Sequence, residues 1–374
     1  MDGDRAAALV EAFEPGSFLL VAPGATTAAT GTRSVVAETD PDELAAQVTK
    51  QLVDTGAPIA VGALPFAPDT PAHLVIPRSV QRAGGVHPYR PSVEPWVPRR
   101  PEASHLPDGA GYRRAVAAAV SALRADDDLR KVVLARSTRL VFDEPVQLAR
   151  LLPGLAATNP LGYTFATPLP DGSTLLGASP ELLLERSGAR VTSNPLAGSL
   201  PRGGDPSHDR ANAAELLGSA KNQAEHAVVV ESVVEVLRPF CRDLAVTGPS
   251  LVATPTMWHL STRITGELLD QDVSSLRLAA ALHPTPAVCG TPTQAARAAI
   301  AELEPFDRGF YSGAVGWCTA DGDGQWVLAI RCAQVREREM RLFAGAGIMP
   351  DSDPVAELAE TEAKLRTLLQ ALGL

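Results

Sequence analysis

Near the end of the chain, AELAETEAKL spaces two carboxylates and an ammonium so that Glu357, Glu360 and Lys364 fall at i, i+3 and i+7 on one helix face. Taken alone, such a face is most often simply solvated. It gains chemical meaning if another element brings a further acid to it. KNQAEH at 221–226 offers one, because Glu225 stands three residues beyond Asn222 on a second helix. Carboxylates from two helices suit Mg²⁺, a hard ion that takes oxygen ligands and keeps waters for an anionic substrate. His226 reads as a hydrogen-bonded core or supporting residue, since magnesium disfavours nitrogen. Arg331 in WVLAIRCA is an isolated cation in an apolar strand and needs a carboxylate, which a substrate can supply. PLAGS at 195–199 and AGAG at 344–347 can bring backbone N–H groups close to an anion, or can mark close sheet packing or a bulge.

These residues need elements to carry them. Residues 111–124, GYRRAVAAAVSALR, have helical spacing, and KVVLARSTRLVF at 131–142 reads as a strand. Further β segments follow in GYTFATPL, STLLGASPELLLERSG and ARVTSNPLAGS. One long helix is predicted from about Asp209 to Leu237, apolar at Leu216, Ala220, Ala224 and Val228. Beyond it come strands near TMWHLSTRITGELL, helices near SSLRLAAAL and TQAARAAIAEL, a hairpin turning on the DGDG at 321–324, the strand RLFAGAGI and a closing helix from about Pro354 to Leu372. The proline-rich stretch from Pro58 to Pro107 reads as irregular and extended. Strands in hairpins and meanders with helices between groups of them predict an α+β fold with largely antiparallel sheets.

A chain of 374 residues, 45% hydrophobic, can bury a sizeable core, and its net charge of −10 with only short, mixed basic clusters argues against nucleic acid as a partner. No apolar stretch approaches the roughly 18 residues of a membrane span, and the acidic N-terminus is unlike a signal peptide, so no membrane partner and a cytoplasmic location are expected. Cys241, Cys289, Cys318 and Cys332 form no CxxC pair and are expected as reduced packing residues.

In order along the chain stand KVVLAR, GASPELLLERSG, NPLAGSLPRG, KNQAEH, HPTPAVCG, LEPFDRGFYSGAVGW, LAIRCA, RLFAGAGI and AETEAKL. Together they resemble the chorismate-utilising enzymes, the group of isochorismate synthases, salicylate synthases and the large subunits of anthranilate and aminodeoxychorismate synthases. The resemblance is dense over residues 111–374 and loose over the first hundred. It implies a catalytic core at 111–374, with residues 1–110 a variable N-terminal part of the same single chorismate-binding fold. It implies Lys131 as the base that activates water and Glu181 as the acid that protonates the departing hydroxyl. It places Mg²⁺ on Glu225 and Glu360 with Glu357 close by, and assigns the substrate to Gly198, Ser199, His283, Tyr311, Arg331, Gly345 and Lys364. Asn222 departs from the pattern, since many relatives carry an acid there.

Within the family, the aminating members lack the lysine found here at position 131. Water is therefore the expected nucleophile, no glutaminase subunit is expected, and the resemblance implies a monomer. The implied activity is the isomerisation of chorismate to isochorismate. The alternatives are a salicylate-forming enzyme that goes on to eliminate pyruvate, and a catalytically idle chorismate-binding protein.

Overall fold

The computed structural model of the protein describes residues 2–125 and 128–374. Every strand pairing among them is antiparallel, in one sheet of 17 strands and a small one of 3. The α+β expectation is met. From Lys131–Val141 the large ladder passes to Glu339–Ile348, Cys332–Arg336, Thr174–Ser179, Tyr163–Pro168, Phe18–Val21 and Ala25–Val36. It continues through His73–Gly84 and Ala60–Leu64 to Ala314–Cys318, Gly324–Leu328 and Leu182–Ser187. It ends at Arg190–Asn194, Ile264–Leu268 and Cys241–Val246.

So long a sheet cannot stay flat, because strand twist accumulates. It doubles over, and Phe18, Phe165 and Phe343 from one half meet Val61, Val315 and Val327 from the other in a single apolar cluster. Helices cover the outer faces: Pro41–Thr55, Ala220–Leu237 and Ser275–Leu282 over one half, Leu148–Thr158 and Pro354–Ala371 over the other. Gly109–Ala125 and Thr293–Leu303 pack against Lys131–Val141, which is why eight successive residues of that strand, KVVLARST, are all buried. The four cysteines are free and buried, as expected.

Two sequence expectations need correction. The proline-rich stretch is not irregular throughout: it holds the strands Ala60–Leu64, His73–Gly84 and Glu102–Leu106. Pro77 is accommodated inside the second of these where its ladder with Ala25–Val36 slips register, the kind of bulge that tolerates a residue without an N–H. The single long helix is two, Pro206–Gly218 and Ala220–Leu237. Gly218 is a poor helix former, and Ser219 adopts an extended conformation with its hydroxyl accepting from the Asn222 N–H, so it caps a new helix.

Lys131–Val141 is paired from Val132 to Val141 on one side by Glu339–Ile348. On the other side Gly290–Thr291 covers only residues 131 and 132, and Glu102–Leu106 only 137–141. A buried ion pair fills part of the gap. Glu304 accepts the Ala135 N–H at 2.7 Å, while Arg308 donates to the carbonyls of Val133 and Val288, each at 2.8 Å, and to both Glu304 oxygens. Side chains thus stand in for a missing strand and satisfy backbone groups that would otherwise be orphaned. Replacing Arg308 by Met leaves the Glu304 carboxylate buried without its cation. The expected cost is about 3–5 kcal/mol in stability, measured by urea unfolding.

Candidate active site

The strand ends and helix starts converge on one cleft of about 630 Å³, counting the part open to solvent, lined by Glu181, Gly198, Ser199, Glu225, His259 and Tyr311 together with Ser312, Arg331, Gly345, Glu360 and Lys364. Each position has a local cause. Asp353 caps the closing helix by accepting from the Ala356 N–H, with Pro354 at its first turn, and this sets where Glu357, Glu360 and Lys364 fall. The Ser219 cap does the same for Glu225 on its helix. Gly198 has φ +73 and lies where the Leu196–Pro201 ladder slips register, so PLAGS is both a bulge and a cleft wall. Arg331 is not within a strand as expected. It sits at φ +50 in the break between Gly324–Leu328 and Cys332–Arg336, with its carbonyl accepting from Ala178 N–H at 3.0 Å. A left-handed arginine is strained, and that strain turns its side chain out of the strand alternation.

Charge in the cleft is nearly balanced by pairs. Lys131, 1% exposed, lies 2.9 Å from Glu225. It reaches that carboxylate past Gly347, where any Cβ would collide with Glu225 and the lysine stem. Lys364 lies 2.6 Å from Glu360 and also donates to the Gly345 carbonyl at 2.8 Å. Burial opposes the charge on Glu360, but the Lys364 ammonium and the Ser199 hydroxyl, 3.0 Å away, outweigh it and hold its carboxyl below the usual range. Arg331 has no such partner. Among the described residues its Nε is buried without a hydrogen bond, its side chain bonds only His259, at 3.3 Å, and no carboxylate stands within ion-pair distance. His259 is kept neutral by burial and then by the positive charges of Arg331 and Lys364. A cation buried this way calls for an anionic ligand.

Glu181 sits between Thr174–Ser179 and Leu182–Ser187, 2% exposed, accepting the Leu196 N–H at 3.2 Å. Burial raises its carboxyl from 4.5 to about 7, against that hydrogen bond and the charges of Arg331, Lys131 and Lys364. It therefore retains a proton near neutral pH, the state a general acid needs.

Among the described residues no three His, Cys, Asp or Glu side chains stand close enough to ligate one ion as placed. The three glutamates instead each turn to a lysine, Glu357 to Lys221 at 3.2 Å. Glu357 lies behind the cleft, also accepting from Ser352 at 2.6 Å, and burial followed by the charge of Glu360 raises its carboxyl. Three carboxylates, with Glu360 near enough to oppose the charge on Glu357, supply the oxygen donors that a hard divalent cation takes. Asn222 does not join them; it bonds Ser219 and packs on Gly198.

Of the residues expected from sequence, Glu181, Gly198, Ser199, Glu225, Tyr311, Arg331, Gly345, Glu360 and Lys364 line the cleft, and Lys131 lies directly behind Glu225. His283 does not: it lines a separate cavity with Phe66 and Arg297, because it ends the helix Ser275–Leu282 on the far side of the segment whose Ala287 and Val288 reach the cleft. Sequence reasoning missed His259 and Ser312. His259 is brought in by its register opposite Ser199, a cross-strand pairing that no local pattern reveals. Ser312, at φ +61 with an unpartnered buried hydroxyl, had only its place beside Tyr311 as a signal.

The model of the family described as chorismate binding enzyme matches residues 81–373. The chain belongs to that family. Within it, the chain is similar to isochorismate synthases. It is 46% identical to isochorismate synthase DhbC of Bacillus subtilis (strain 168), over 99% of this chain and 96% of that protein. It is 45% identical to isochorismate synthase EntC of Escherichia coli (strain K12), over 85% of this chain and 82% of that one. The crystal structure of DhbC from Bacillus anthracis superposes with TM-score 0.92 at 43% identity, covering 99% of this chain and 100% of that one. The matches to the two DhbC proteins take in the first hundred residues, whereas the family model begins at residue 81.

Because Glu181 binds its proton more tightly folded than unfolded, the contribution of that carboxyl to stability is whole below about 4.5 and is lost as pH rises through about 7. Glu181→Gln removes the titration. Compared with the variant, the wild type is expected to lose on the order of 3 kcal/mol between pH 5 and 8, read from urea midpoints at each pH. Parallel pH profiles for the two proteins would refute the burial of a titrating group there.

Proposed function

We infer that the protein is an isomerase that converts chorismate to isochorismate, a reading supported by the similarity to isochorismate synthases over most of the chain. The observation that carries it is the buried Glu181, an acid protonated near neutrality in the same cleft as the uncompensated Arg331. Chorismate is a dianion with a hydroxyl that must leave, and the cleft offers both a cation and a proton.

In the proposed reaction Lys131 takes a proton from water as its oxygen attacks C2 of the ring. The C1–C2 double bond moves to C1–C6, the C5–C6 double bond moves to C4–C5, and the C4–O bond breaks. Glu181 gives its proton to the departing oxygen, so one water enters and one leaves. Both groups return to their starting states by exchange with solvent. Lysine serves as a base only in its neutral form, and the carboxylate of Glu225 that it touches is one the family's metal site uses. A divalent cation, here proposed as Mg²⁺, would be held by Glu225 and Glu360 with Glu357 close by, and would anchor the ring carboxylate. Arg331 and Lys364 take the substrate's carboxylates, with Ser199 and the backbone at Gly198 and Gly345 completing the wall. Tyr311, stacked on Phe343 at 4.8 Å, gives that wall a flat apolar surface.

The same reading assigns residues 1–110 to the chorismate-binding fold and makes the enzyme a cytoplasmic monomer that needs no glutaminase subunit, since its nucleophile is water. Among the described residues no helix is long and apolar enough to cross a membrane.

Incubation with chorismate and Mg²⁺, followed by chromatography, is expected to yield isochorismate without salicylate or pyruvate. Salicylate with pyruvate would point to the salicylate-forming reaction, and unchanged chorismate would defeat the enzymatic reading. Lys131→Ala is expected to lower kcat by about 10²–10⁴-fold while the protein stays folded. Undiminished turnover in that variant would remove Lys131 from the mechanism.

A further inference from the structure

A second cavity, of about 170 Å³ and partly open to solvent, lies away from the cleft, between the start of the helix Pro41–Thr55, residues 64–72 and the end of the helix Ser275–Leu282. Leu44, Leu64, Pro65, Phe66 and Ala280 give it apolar walls. Into this setting come two polar side chains. Arg297 makes one long hydrogen bond, 3.4 Å to the Phe66 carbonyl; its Nε is buried without a partner, and no carboxylate lies within ion-pair distance among the described residues. Glu38 stands on the rim, but its oxygens accept from the Thr39 and Asp40 N–H groups and from Gln47. Both ring nitrogens of His283 are also buried without a hydrogen bond of sound geometry. Burial and then the charge of Arg297 push His283 down to about 4, against the smaller pull of the Pro65 carbonyl, so it stands neutral with one N–H to donate.

Half-buried guanidinium without a counter-ion, next to an unspent imidazole in an apolar chamber, is an unfavourable arrangement unless something fills it. We propose that this cavity is a second ligand site for a small molecule with a flat apolar body and a single carboxylate, bound by Arg297 and His283. The guanidinium fork presents two parallel N–H groups to a carboxylate, and the histidine adds a third donor. The apolar walls select a ring or short hydrocarbon over a sugar or polyol, and the space suits a molecule of one ring. None of the cavity's walls belongs to the catalytic cleft. The two communicate through Phe66, whose ring meets His283 edge-on at 6.5 Å and lies 4.4 Å from the Arg308 guanidinium. Arg308 in turn bonds the Val133 carbonyl, two residues from Lys131. A ligand here therefore rests against Phe66, which packs on the ion pair that steadies the catalytic strand. The site is independent of the reaction assigned above.

Benzoate serves as the probe, titrated calorimetrically into the full chain. To silence the cleft, the titration is made in the Arg331→Met background. One equivalent is expected to bind there, and adding Arg297→Met is expected to weaken it at least tenfold. Ala280→Phe, which fills the cavity and leaves both polar residues in the sequence, is expected to abolish it, and this variant decides the matter if Arg297→Met does not fold. Absence of binding in Arg331→Met protein, or binding that survives Arg297→Met or Ala280→Phe in a folded chain, overturns the proposal.

Discussion

Charge removed from water must be answered inside the protein, and much of this structure follows from that requirement. Lys131 is answered by Glu225, Lys364 by Glu360, Lys221 by Glu357 and Arg308 by Glu304. Lys131–Glu225 and Lys221–Glu357 join elements distant in sequence, Arg308–Glu304 lies at the end of a helix, and Lys364–Glu360 spans one turn of the closing helix, so neutralisation also sets geometry. Arg331 is left over, beside a neutral histidine and an acid that holds its proton. An enclosed site with surplus positive charge and an available proton is prepared for an anion that must lose a hydroxyl, and it acts more strongly there than it would in water.

The sheet supplies the rigidity that this balance demands. A strand buried on both faces carries Lys131, and its one unpaired stretch is closed by the Glu304–Arg308 pair instead of by another strand. Where the cleft requires a side chain or backbone group to leave the regular pleat, the ladder breaks at one residue: a bulge at Gly198, left-handed turns at Ser312 and Arg331. Such departures are costly alone and persist because the flanking strands over-determine them. The acids come from helices whose starting points are set by Ser219 and Asp353, so a shift of either cap would rotate a carboxylate off the cleft.

Beyond the cleft, the same accounting of polar groups separates residues that look alike in sequence. Cys289 and Cys332 are buried thiols that burial pushes up against the charges of nearby arginines, and they behave as packing. His226 bonds Thr262 at 2.7 Å and supports the wall at Ala197. His283, by contrast, has neither ring nitrogen in a hydrogen bond of sound geometry, and with Arg297 it lines the second cavity.

Composition and periodicity determined the antiparallel α+β class, the closing helix with Glu357, Glu360 and Lys364 on one face, and the hairpin at DGDG, because these depend on local spacing and turn chemistry. The ordered motifs named the family and most of the cleft. Tertiary structure alone decided the rest. It divided the long helix at Ser219, since a weak former and a good cap are close in energy until packing chooses. It made strands of a proline-rich segment by offering each proline a bulge or a loop. It put His259 opposite Ser199 and took His283 to another cavity, because which side chains share a site is settled by register between strands far apart in the chain, and register leaves no local trace.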